Sequence, residues 1–291
     1  MRKAYKLFFL FLIGFLFSCG VKSSPLPPED KTPKVVDNLN IKQQGNLIVL
    51  YWKYNKAKDI SFKILLNGKE INLPIFQQGN LFWIEYPFEE FSVEYCFQVE
   101  TIRGIFSKTS KYKCITTKKF NLLSDSPKIY QKEGKIYIKW EDKKGEFFIY
   151  KGKSKNHIPP IVYSKIKNNN VFEDKNVVSG QKYCYFLTKN ENQIESNRVY
   201  TECITYVDIY PPKKPKISYI KKGNSLIIIL GHINEKDFAG FLIEKNGKLL
   251  TNIPIKTYYF IDKNWHESDV YKIYSVDKNG NKSSPVYLRV E

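Results

Sequence analysis

The sequence predicts an all-β protein of three tandem copies of one small domain, and three observations carry that prediction. A block recurs at a fixed interval: Val171-Phe172-Glu173-Asp174-Lys175-Asn176 returns 88 positions on as Tyr259-Phe260-Ile261-Asp262-Lys263-Asn264. Tyr183-Cys184 returns 88 positions back as Tyr95-Cys96, and Trp140 moved back by the same interval lands on Trp52. A fixed period of that size, carried by Trp, Tyr and Cys, marks a tandem array. The aromatic complement is the second observation. There are 21 Tyr and 20 Phe but one Met, with many Val and Ile, a mixture that favours strands. Third, no stretch beyond the first twenty residues keeps a helical period.

Length agrees, because 291 residues suit two or three domains. The period divides the chain into residues 1–18, 19–32, 33–119, 120–208 and 209–291. The first is a targeting segment. Arg2, Lys3 and Lys6 precede an apolar run from Leu7 to Phe17, which is too short to span a bilayer and reads as a cleaved secretion signal. Leu16-Phe17-Ser18-Cys19 resembles the lipobox of bacterial lipoproteins, although Phe17 is larger than the residue usual there. The resemblance implies that Cys19 is lipidated and begins the mature chain; an ordinary signal with an incidental Cys is the alternative.

Residues 19–32 are polar and Pro-rich, which suits a tether. Their start, Cys19-Gly20-Val21-Lys22-Ser23-Ser24-Pro25-Leu26, is similar to that of small outer-membrane lipoproteins serving the lipopolysaccharide-transport translocon, with one extra Ser. Gly20 in place of Asp after the lipidated Cys implies, by the same kind of resemblance, the outer membrane, with the protein facing the periplasm.

Five cysteines leave an odd one in an exported chain, and lipidation of Cys19 accounts for it. Four cysteines can pair in three ways. Cys96 and Cys114 lie 18 positions apart, and Cys184 and Cys203 lie 19 apart, at matching places in two repeats. We therefore expect one bridge within each of the first two domains. An oxidising compartment permits them.

Domain one opens at Pro33 with an edge strand expected near Val35 to Ile41, then turns at Gly45-Asn46 into Leu47-Ile48-Val49-Leu50-Tyr51-Trp52. Domain two repeats this as Gly134-Lys135-Ile136-Tyr137-Ile138-Lys139-Trp140, and domain three as Gly223-Asn224-Ser225-Leu226-Ile227-Ile228-Ile229-Leu230, without the Trp. The following strands end in Gly turns at Asn67-Gly68, Lys151-Gly152 and Asn246-Gly247, and Asn-Gly between apolar runs signals a tight turn. The early Pro, the strand Trp, the Gly turns and Val177-Val178-Ser179-Gly180-Gln181-Lys182-Tyr183 together resemble fibronectin type III domains over residues 33–291. The resemblance implies three immunoglobulin-like β-sandwiches. It also implies that Tyr95, Tyr183 and Tyr271 are corner tyrosines whose hydroxyls bond back to the backbone. Domain one departs at Glu89, where Phe88 can take the apolar corner position, and domain three has Lys272 where the others have Cys, so packing alone should hold its last hairpin.

The net charge of +18 does not indicate nucleic acid. The excess is spread as +5, +4 and +6 over the three domains with acids throughout, as solvated Lys-rich faces are. His157, His232 and His266 have no ligand spacing and read as loop histidines. Trp265 beside His266 occupies a corner position that should face the core. Asp277-Lys278-Asn279-Gly280-Asn281 lacks the acid that would close a calcium loop and reads as a turn. Acid pairs such as Glu89-Glu90, Glu141-Asp142 and Glu173-Asp174 read as solvated turns, since neighbours on a strand point to opposite faces. No catalytic motif, metal site or cofactor signature emerges. The functional expectation is a lipid-anchored envelope protein that binds or spaces another envelope protein, held to the membrane by its anchor. The alternative is a glycan-binding lipoprotein using exposed aromatics such as Trp83, Tyr258 and Tyr259.

Overall fold

The structure, a computed structural model, describes residues 32–55 and 59–290. The secretion signal, Cys19 and the tether up to residue 31 lie outside the described residues. Strands carry the fold, and helix among the described residues amounts to one 3-10 turn, Lys155–His157. No helix there is long and apolar enough to cross a membrane.

The first repeat contains β1 (Asn40–Gln44), β2 (Leu47–Lys53), β3 (Ile60–Leu66), β4 (Lys69–Ile71), β5 (Phe76–Gln78), β6 (Leu81–Pro87), β7 (Glu94–Arg103), β8 (Phe106–Thr109) and β9 (Lys113–Thr116). One sheet runs β1-β2-β6-β5 and the other β4-β3-β7-β8, with β9 also on β7. Trp52 on β2 explains how they pack. Its ring meets Phe62 of β3 edge-on at 5.5 Å and stacks on Phe82 of β6 at 6.0 Å, so one indole bonds both layers together. The edge strand begins later than Val35. In its place the Asn38 side chain mimics a ladder, donating to the Lys53 carbonyl and accepting from the Lys53 N–H. Phe88 is buried and Glu89 exposed, as the corner requires.

The second repeat contains β10 (Lys128–Lys132), β11 (Lys135–Lys139), β12 (Glu146–Gly152), β13 (Ser164–Lys167), β14 (Val171–Asp174), β15 (Lys182–Glu191), β16 (Ile194–Glu195), β17 (Val199–Tyr200) and β18 (Ile204–Thr205). A small sheet β10-β11-β14 packs on a larger one built around β12 and β15. Ile136, Ile138 and Trp140 from the small sheet interdigitate with Phe147, Ile149, Tyr185 and Leu187 from the large one. Each such buried side chain contributes about 1.5–3 kcal/mol of hydrophobic stabilisation.

The third repeat contains β19 (Ile217–Lys222), β20 (Ser225–Leu230), β21 (Phe238–Lys245), β22 (Lys248–Leu249), β23 (Tyr259–Asp262), β24 (Val270–Asp277) and β25 (Val286–Arg289). The small sheet is β19-β20-β23 and the larger β22-β21-β24-β25. Leu226, Ile228 and Leu230 face Phe241, Ile243, Tyr271 and Ile273. Leu230 thus fills the place that Trp140 holds one repeat earlier. The β21–β22 turn is Asn246-Gly247 with φ of 49° and 81°, the left-handed pair that a two-residue hairpin needs.

By compactness the chain divides into two units. One holds the described residues through Ile41 with Leu50–Tyr86 and Ser92–Thr117; the other holds Lys42–Val49, Pro87–Phe91 and everything from Lys118 onward. Within the second unit, Gln44 pairs in parallel with Glu195. Gly45 makes this approach feasible, since a Cβ there would lie 2.8 Å from the Asn197 Cα. Around the pairing, the Glu195 carboxylate accepts from Lys42 at 3.1 Å and from Gln44, Thr188 and the Tyr150 hydroxyl at 2.7 Å each. Arg198 donates twice to Gln44, at 2.9 and 2.7 Å. Burial lowers the Lys42 pKa and the attraction of Glu195 only partly restores it. The buried carboxylate is thus satisfied by four donors within this unit.

Candidate functional site

Strand β20 reads Ser225-Leu226-Ile227-Ile228-Ile229-Leu230, and alternation sends Leu226, Ile228 and Leu230 into the core. Ile227 and Ile229 must then point outward. The register aligns them with neighbours of the same kind: Ile220 lies opposite Ile227, which lies opposite Ile261, and Ser218 lies opposite Ile229, which lies opposite Tyr259. Ile220 is 52% exposed, Ile229 37%, Tyr259 56% and Ile261 43%. Tyr258, 52% exposed, leans on the His232 ring at 5.6 Å. The outcome is a flat apolar sheet face open to solvent. Lys222 and Ser225 continue the face at one end, with the exposed Lys263 just past the end of β23, and the exposed Lys216 immediately precedes β19 at the other end. No outward position on these strands is acidic. Exposed apolar surface rimmed by polar groups marks an interaction site.

The equivalent face one repeat earlier is dressed differently. Its rows are Tyr130, Tyr137 and Glu173, and Lys128, Lys139 and Val171. Tyr130 stacks on Tyr137 at 5.4 Å and Lys135 pairs with Glu173 at 3.0 Å. Its outward side chains thus bond to one another across the strands.

The cysteines join within each repeat, Cys96 to Cys114 and Cys184 to Cys203, with Cα separations of 4.0 and 4.3 Å. Cys96 and Cys114 are direct cross-strand partners on β7 and β9. Trp52 and Trp140 are both buried, and their indole nitrogens have no acceptor. Trp265 packs against the third core with Lys221 over its ring at 5.6 Å. Tyr183 behaves as a corner tyrosine, its hydroxyl accepting from the Val178 N–H at 2.8 Å, while the half-buried Tyr95 packs on Tyr86 at 5.6 Å.

Tyr271 departs from expectation. Its hydroxyl donates to the Asp262 carboxylate at 2.7 Å instead of bonding to backbone. The turns explain why. Asn67 bonds the backbone of Cys96 in both directions, and Asn246 does the same to Val270, so Val270, not Lys272, stands where the other repeats have Cys. The corner of the third repeat is two residues shorter, and Tyr271 is the counterpart of Tyr185. Asp269 does the corner work, accepting from the His266 N–H at 2.7 Å and from Asn246 at 2.6 Å. Across the last hairpin Val270 faces Arg289, and Lys272 sits over the Tyr287 ring at 5.7 Å, a cation–π contact beyond the packing expected to act alone.

The recurring Asp-Lys-Asn is likewise not a solvated turn. Asp174 is buried, paired with Lys151 at 2.6 Å and accepting from the Tyr185 hydroxyl at 2.7 Å. Asp262 repeats the arrangement with Lys245 at 2.8 Å and Tyr271. Asn176 and Asn264 each donate a backbone N–H to their Asp at 2.9 Å. Burial acts to raise the Asp262 pKa, but the bonds from Lys245, Tyr271 and Asn264 outweigh it and the net shift is downward. Burial and the bond to Asp262 together raise the Tyr271 pKa. In both clusters the carboxylate is largely buried and the lysine stays partly exposed.

A second acidic set lies within the later unit. Carboxylate oxygens of Asp208, Asp237 and Asp277 fall within 4.8 Å of one another. Chain amides already fill Asp277, from the Asn279 and Asn281 N–H groups and the Asn281 side chain, and Asp208 accepts from Tyr210 N–H and Asn279. The turn reading of Asp277 to Asn281 therefore describes how these groups are used. Burial, with Asp208 and Asp277 nearby, raises the Asp237 pKa. Of the aromatics considered for glycan contact, Trp83 is 1% exposed, whereas Tyr258 and Tyr259 are open.

No family model and no curated protein matches the chain. Solved structures similar to it include the FN1-FN3 domains of chicken CNTN1, at 12% identity and a TM-score of 0.26 over 88% of this chain and 99% of that one. The central fibronectin-III array of RIM-binding protein is similar at 11% identity and a TM-score of 0.27, over 90% of this chain and 99% of that one. At such values the assignment rests on the sheets themselves. Two packed sheets of mainly antiparallel strands in each of three successive repeats define tandem fibronectin type III-like sandwiches.

Proposed function

We propose that this protein is a non-catalytic scaffold of the bacterial cell envelope, anchored in the outer membrane by lipid on Cys19 and facing the periplasm, that holds another envelope protein. The apolar outer face of β19-β20-β23 is the observation that carries the binding reading. The apolar rows Ile220, Ile227, Ile261 and Ile229, Tyr259, rimmed by polar groups, support this face as the centre of a contact surface. The lipobox-like segment and the odd cysteine support the anchor, and two acyl chains or more hold a protein stably where one is marginal.

In-cell crosslinking followed by mass spectrometry tests the reading, alongside fractionation of the native chain and Cys19→Ala. The native chain should sediment with outer membrane and bring one recurrent envelope protein at near-equal abundance; Cys19→Ala should be soluble. Glycan fragments without protein would favour the second reading, a polysaccharide-binding lipoprotein, which the exposed Tyr258 and Tyr259 keep alive.

A further inference from the structure

Resting on the scaffold reading, we infer that the occupant of the β19-β20-β23 face is a protein surface with an apolar centre ringed by carboxylates, and that Lys216, Lys222 and Lys263 select it. The size of the face is the first step. Three strands about 4.8 Å apart and two apolar rows about 7 Å apart outline roughly 200 Å². A stable partner covers about 800 Å² on each side, so the isoleucines form the centre of a larger footprint and its rim must be polar. Strand alternation fixes Lys222 on the rim, the exposed Lys263 and Lys216 directly flank β23 and β19, and no acid faces outward on the strands between them. Carboxylates on the partner would meet these ammonium groups, and cations would be rejected.

The same charge pattern argues against a second copy. Two such faces packed about a twofold axis would bring lysine rims together. A bilayer is also a poorer match: the apolar groups are β-branched side chains flush with a sheet, whereas insertion uses a helix face that sinks into the acyl boundary. The equivalent face of the second repeat, with Lys135 already paired to Glu173, offers no such centre.

The test places photo-crosslinking benzoylphenylalanine at position 259 of the full-length chain in its own cells, with a second probe at position 105, where Ile105 is 94% exposed and far in sequence from the face. The inference expects an adduct at 259 to one other protein, through a peptide that carries Asp or Glu beside apolar residues. Lys222→Glu with Lys263→Glu should cut that adduct about tenfold or more, and Lys222→Arg with Lys263→Arg should keep it. Unchanged circular dichroism and an unchanged urea-unfolding midpoint certify that the variants fold. An adduct to a second copy or only to lipid overturns the inference, as does one indifferent to charge reversal. A protein adduct at 105 with none at 259 overturns the inference and leaves the scaffold reading standing; no protein adduct at either position sinks both.

Discussion

The small sheets of the second and third repeats share a strand order, a core-facing alternation and a buried Asp at the end of the third strand, yet their outer faces are opposites. Tyr130, Tyr137, Lys135 and Glu173 give one repeat a surface that is complete in water. Ile220, Ile227, Ile229, Ile261 and Tyr259 give the other a surface that is not. The inward half of a strand is dictated by its own fold and is therefore repeated; the outward half is dictated by whatever lies outside. Where tandem copies of one fold diverge on the outward half alone, that half is where function is to be sought.

The sharpest way to test the shared half is to remove the buried acids. Asp174→Ala leaves Lys151 without its ion partner and should cost about 3 kcal/mol or more in urea unfolding, whereas Asp262→Ala leaves Lys245 still paired to Asp269 at 2.8 Å and should cost less. Equal losses would break the claim that Asp269 still holds Lys245 when Asp262 is gone. The first repeat supplies an apolar version of the same position, Leu66 opposite Phe97, so Lys151→Leu with Asp174→Ala should recover part of the loss.

The clamps come next. Reduction of Cys184–Cys203 closes off a constraint on a loop of 19 positions and should destabilise the second repeat by about 3 kcal/mol, seen as faster amide exchange on β15. The third repeat, with Val270 and Arg289 in that place, should be untouched by reductant, and Lys272→Ala should cost it about 0.5–1 kcal/mol.

The smallest contrast is in acid. The Asp262 and Asp269 pKa values are depressed in the fold, so their contribution is complete above the ordinary value of 3.8 and disappears as pH falls through the lower folded values. Asp262→Asn should flatten that part of the stability–pH curve below about pH 4. An unchanged slope would show that Lys245 is not holding the carboxylate ionised.

Much of the fold was legible because its markers are local. Trp52 and Trp140 and the Tyr-Cys pairs recur at 88 positions, and the Asn-Gly turns at Asn67 and Asn246 are recognisable from their own two residues. The Lys–Asp–Tyr clusters were not legible, because Lys151 lies 23 positions before Asp174 and Lys245 only 17 before Asp262, and a constant offset passes over both. Tyr271 was assigned to the wrong partner for a related reason: the shortened corner shifts every residue after it. The candidate face did leave a trace. Leu226 to Leu230 is an unbroken aliphatic run, which in a one-sided sheet means that the solvent side is apolar too.

The two-residue shortening of the third corner also sets a rule for how this fold can be altered. A strand reverses its facing at every residue, so even changes in the corner leave Tyr271, Ile273 and Ser275 pointing inward and odd ones expel them. Grafts between Asn264 and Asp269 must therefore keep Trp265 on the core and the His266 N–H on Asp269, and an even change in length should be absorbed with less rearrangement of the corner than an odd one.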